Sequence, residues 1–163
     1  MEYDSALVAI HEAVAAGADP EPFAQVANIM GNRLLKVGQD TSKGKPAQIT
    51  AFQRIVHYVS YADTISKDRG TKNNSKFFLG VSHFFLAQIK FPDVVATKSC
   101  DGAKEVQDLI VNATLELPVG GASNPDIVKT LMPVATQMSG SADQAVKVYC
   151  APPKKPEETK KKP

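Results

Sequence analysis

Apolar side chains return every three or four positions along most of the chain, the rhythm of helices with one buried face. Leu7, Ile10 and Val14 predict a first helix from about Asp4 to Ala16, and Gly17 supplies a stop because glycine takes the left-handed conformation that ends helices. Asp19-Pro20 reads as a new start, since Asp accepts from free amides and Pro suits the first helical turn. Phe23, Val26, Ala27, Met30 and Leu34 carry that second helix to Gly38, giving a helical hairpin. Gly38 to Pro46 is rich in turn formers and charge and predicts a loop. Phe52, Ile55, Val56 and Val59 fit a third helix, although the β-branched and aromatic run IVHYVSY equally suits a strand.

Residues 66–76 (SKDRGTKNNSK) form the most polar stretch of the body and predict an exposed loop. The strongest apolar stripe follows, Phe77 through Phe85 to Ile89, with Ser75 as its cap and Pro92 at its end. Asp101 can cap a further helix that turns Ala103, Val106, Leu109, Ile110 and Ala113 inward. Pro118 to Pro125 predicts a glycine-rich turn, and Asn124-Pro125 opens another helix, which Ser139-Gly140-Ser141 breaks. Ala145 to Cys150 alternates apolar and polar residues, the best strand pattern in the chain. The expected architecture is mainly α within an α+β class: about six helices and a small C-terminal strand. Residues 1–151 read as one domain and 152–163 as a basic, disordered tail.

Composition narrows the function without naming it. The 163 residues carry a net charge of +2. Five Lys against two Glu make the tail +3, so the body is about neutral at −1 and shows no basic nucleic-acid surface. No stretch approaches the roughly 18 apolar residues of a membrane span. The N-terminus begins with acids and shows no secretory signal. Cys100 and Cys150 could form one bridge, but two buried free thiols are the favoured expectation, because disulfides are rare in intracellular chains.

Standard chemical motifs are missing. His11-Glu12 lacks the second His one helical turn on that a zinc protease needs, since position 15 is Ala. Three scattered histidines, His11, His57 and His83, predict no metal site, and no nucleotide or other cofactor fingerprint occurs. Glu12 remains: small neighbours Ala13, Ala15 and Ala16 would leave space above its carboxylate, and a dry cleft there would raise its pKa toward that of a general acid. On residue type alone a solvated helix-face glutamate is the commoner outcome.

Ordered motifs add a resemblance. Glu12-Ala13, Gly17, Val26-Ala27 and Asn32-Arg33 are followed by Ile55 to Asp63, by an alanine-rich helix from Ala103 to Ala113, by Pro118, Gly120, Gly121 and Ala122, and by Val146 to Tyr149. In that order the chain resembles the spore-cortex-lytic type of cell-wall hydrolase. It differs in having His57 and Val59 for Gln and Ser, an apparent insertion at 66–76, and Ser123-Asn124 for an aromatic pair. The resemblance implies a lysozyme-like fold that cleaves the glycan strand of peptidoglycan, as a lytic transglycosylase or muramidase. Glu12 would then serve as the single general acid and base. His57, Tyr58, Ser60, Tyr61, Asp63, Gly120 and Gly121 would line the cleft. A phage-encoded member, delivered without a signal peptide, would reconcile wall-cutting with the missing leader. The competing expectation is a non-enzymatic helical virion or adaptor component, contacting partners through the Phe77–Phe85 stripe or the tail.

Overall fold

The computed structural model describes residues 2–122 and 124–152. Six α-helices follow one another: α1 (Glu2–Ala15), α2 (Glu21–Gln39), α3 (Gly44–Ile65), α4 (Arg69–Thr97), α5 (Cys100–Gly120) and α6 (Pro125–Tyr149), with a short 3-10 turn at Thr41–Lys43. From α2 onward each helix packs on its neighbour in the chain, and α4 also touches α2 and α6. α4 is therefore the central member.

The core is continuous through α4. Phe77, Val81, Phe84 and Ala87 on one side of it meet Val106, Ile110, Ala113 and Leu117 of α5, and Ala135, Ala142 and Ala145 of α6 close over the far side. On the other side Leu79 and Leu86 meet Phe52, Ile55 and Val59 of α3. Small residues set the closest approaches. Gly38 lies under the Phe52 ring, where an added Cβ would come within 2.7 Å of Cζ. Gly120 lies against the backbone of Phe77, where an added Cβ would stand 2.4 Å from Cα. α1 stands at the edge: His11 stacks on Tyr61 of α3 with ring centroids 3.7 Å apart, and Leu7 and Ile10 flank a crevice of about 20 Å³ beside Tyr58.

The two helices at the start and the turn between them agree with expectation, Gly17 having the left-handed φ of 94° that the stop requires, but α1 stands at the edge and does not pack along α2 as the expected hairpin would. Asp19 Oδ1 accepts from the Glu21 amide at 3.1 Å, as a residue opening α2 should. The open choice over residues 52–61 resolves as helix.

Several boundaries differ. The expected C-terminal strand at Ala145–Cys150 is the last turns of α6; among the described residues there is no strand. Its alternation arises because Ala142 and Ala145 face α5 while Val148 stays 60% exposed, so apolar residues fall on both faces of a helix. Ser139-Gly140-Ser141 does not break α6, and Gly140 sits there with open space around it. Pro92 lies inside α4, which continues past it and buries Val94 in the core shared with α5. Pro118 is likewise inside α5, which Ser99 caps in place of Asp101 by accepting from the Gly102 amide at 3.1 Å.

The polar run 66–76, expected as a loop, supplies the first two turns of α4. Asp68 caps that helix by accepting from the Thr71 amide at 2.7 Å, while Ser75 is buried within it. Glu21 reaches over from α2 to accept from the Ser66 hydroxyl at 3.0 Å and from the Lys67 and Asp68 amides. Hydrogen bonds from the Thr71 and Ser66 hydroxyls and these amides hold the Glu21 carboxyl below its usual range.

Cys100 and Cys150 are bonded to each other, contrary to the expectation of free thiols. Antiparallel packing of α5 and α6 brings the start of one beside the end of the other, with 4.9 Å between the two Cα atoms. Most of the Phe77–Phe85 stripe is core, with Phe77 and Phe84 at most 4% exposed, while Phe78 and Phe85 are partly exposed. No helix among the described residues is long and apolar enough to cross a membrane. The basic tail, apart from Pro152, lies outside the described residues.

Candidate functional site

The residues expected to form a glycan cleft do not share one. Glu12 is exposed on α1 and borders none of four grooves that the described residues form. Tyr58 is 2% exposed and touches only the small crevice beneath α1. Tyr61 is taken up by His11, and Asp63 pairs with Lys76 of α4 at 2.8 Å. Ser60 is exposed and its carbonyl accepts from the Thr64 hydroxyl at 2.9 Å. His57 is exposed beside the Tyr58 ring. Gly120 and Gly121 sit at the end of α5, where Gly120 allows the close approach to Phe77. Their small size serves helix packing.

An open groove of about 320 Å³ lies elsewhere, between α2 and the beginning of α4. α2 contributes Gln25, Asn28 and Asn32, which recur at three and four positions and so share one helix face. α4 contributes Thr71, Asn74 and Phe78 by the same spacing. No charged side chain lines it.

Asn28 anchors the arrangement. It is 8% exposed; its Nδ2 donates to the Thr71 carbonyl at 3.1 Å and its Oδ1 accepts from the Ser75 hydroxyl at 3.1 Å. Ser75 also donates to the Thr71 carbonyl at 3.0 Å. This buried polar contact joins α2 to α4 and fixes the Asn28 side chain. An amide has two N–H donors and two carbonyl lone pairs, so Asn28 keeps one of each after these bonds. Gln25, Asn32 and Asn74 make no hydrogen bonds with other described residues and are fully available.

A second groove of about 200 Å³ runs across α3, α4 and α5, with Val56, Leu86 and Leu109 on its walls. Its polar groups are largely paired. His83 Nδ1 is 2.7 Å from Glu116 Oε2, and Lys90 is bonded to Glu105. The first groove is the stronger candidate because its polar groups are neutral and unspent.

Sequence reasoning passed over this site. In the sequence Asn32 stands out only within the Asn32-Arg33 motif, and Asn74 lies in the polar run 66–76, whose composition predicts a loop. The available signal was polar spacing: Gln25, Asn28 and Asn32 fall on one face of a helix that was correctly placed. Comparison with protein-family models, curated proteins and solved structures finds no match for the chain. The likeness to cell-wall hydrolases therefore stands on the quoted motifs alone.

Proposed function

We propose that this protein is a non-catalytic binding module, a helical scaffold clasped by one disulfide that presents a neutral, amide-lined groove to a ligand. The observation that carries the reading is the convergence of three amides from α2, Gln25, Asn28 and Asn32, with Asn74 of α4 on a single groove in which Asn28 is held by hydrogen bonds. Asn28 is held in place by its own hydrogen bonds, so a ligand that engages it incurs little ordering cost there. Disulfides persist in oxidising surroundings, so the Cys100–Cys150 bond favours a protein that works outside a reducing cytosol.

The alternative, peptidoglycan cleavage by Glu12, draws its support from the motif order. A glycosidase's general acid works from a sheltered cleft, and Glu12 is exposed and borders none of those four grooves among the described residues. That geometry favours binding over cleavage. Incubation with purified peptidoglycan separates the readings: neither wild type nor Glu12→Gln is expected to release soluble fragments by chromatography. Release by wild type that Glu12→Gln abolishes would restore the glycosidase and sink the binding module.

A further inference from the structure

The geometry points to an extended peptide segment, held through its backbone, as the ligand of the α2–α4 groove; this rests on the binding-module reading above. Three features of the groove select that chemistry. First, a peptide group offers one N–H and one C=O, which a side-chain amide matches with its own acceptor and donor in one plane. Gln25, Asn32 and Asn74 have both ends unspent, and Asn28 keeps one donor and one lone pair.

Second, the spacing fits. Asn28 and Asn32 are four residues apart, a rise of about 6 Å along a helix. Alternate residues of an extended chain, whose peptide groups face the same way, are separated by about 6.7 Å. Amides one helical turn apart can therefore engage alternate peptide groups over three or four ligand residues.

Third, the groove has apolar surface and no charge. Ile29 is 57% exposed at its edge and Phe78 is half-buried in its wall, so both can cover side chains of a bound segment. A ligand recognised by its charge would find no counter-charge there. The peptide is thus read by its backbone and by one or two apolar side chains.

Selection from a displayed library of random seven-residue peptides, followed by calorimetry with the free selected peptides, tests this. Enriched peptides are expected to bind wild type, with Asn32→Ala and Asn74→Ala each weakening binding about five- to tenfold. Both positions lie outside the buried network, which keeps the variants folded; Gln144→Ala on α6 should leave affinity unchanged. Affinity should change less than about twofold between roughly 0.05 and 0.5 M salt, as for an uncharged contact. Steep salt dependence would overturn the inference.

Chitotetraose is the parallel probe, followed through the side-chain amide resonances of Gln25, Asn28, Asn32 and Asn74. If no peptide binds and chitotetraose shifts those resonances, the peptide inference fails while the binding module survives as a glycan binder. If neither probe binds, both fail.

Discussion

Removing the Cys100–Cys150 bond perturbs the joint between the last two helices. α6 packs almost entirely on α5, so it is the terminal layer of the array and has the core on one side only. The bond ties the start of α5 to the end of α6 and closes a loop whose ends are 50 residues apart in sequence. In the chain-entropy account, a crosslink of that span restricts the unfolded chain by about 4 kcal/mol at 25 °C. Reduction, or the Cys100→Ser/Cys150→Ser double substitution, should cost about that much.

With a urea m value of about 2 kcal/mol/M, the midpoint should fall by roughly 2 M. The melting temperature should fall by about 8–16 °C for a chain of this size. Circular dichroism during urea titration, with and without reductant, gives the comparison, and the double variant should not respond to reductant at all. Hydrogen exchange should show protection lost first in α6. A loss below about 1 kcal/mol, or protection lost evenly across α2 to α6, would refute the reasoning that the clasp holds the terminal layer.

Two other perturbations test the packing and the polar joint between α2 and α4. Gly120→Ala places a Cβ 2.4 Å from the Phe77 backbone and should cost roughly 1–3 kcal/mol, whereas Gly140→Ala, in open space inside α6, should add about 0.5–1 kcal/mol; thermal melts of both variants against wild type read the contrast. The Glu21 carboxyl titrates below its usual range when folded, so its contribution is complete above the ordinary carboxylate range and is lost as pH falls through the depressed folded value. The urea midpoint of wild type should therefore fall on acidification, and Glu21→Gln should flatten that slope; an unchanged slope would remove Glu21 from its clamping role.

How far the fold could be read in advance depended on what each segment buries. Where a helix buries carbon, as with Phe77 to Ile89 or Ala103 to Ala113, the three- and four-residue rhythm located it. Where a helix buries polar atoms, the rhythm was silent. The opening of α4 turns Thr71 and Ser75 inward against Asn28, so a segment with no apolar face is nevertheless a packed helix. That polarity also concealed the candidate site, since the contact which hides the helix builds the groove.

Local chemistry alone established a mainly helical chain, the Gly17 turn between the first two helices and part of the core, such as Phe52, Ile55, Phe77, Phe84, Val106 and Ile110, because helical periodicity and backbone freedom are properties of the local sequence. Tertiary packing settled the rest. Helix continuation through Pro92, Pro118 and Gly140 rests on stabilisation from neighbouring helices, which no local propensity contains. The pairing of Cys100 with Cys150, and the meeting of Gln25, Asn28 and Asn32 with Asn74, join positions dozens of residues apart; only the stacking of helices around α4 brings them within bonding distance or onto one groove.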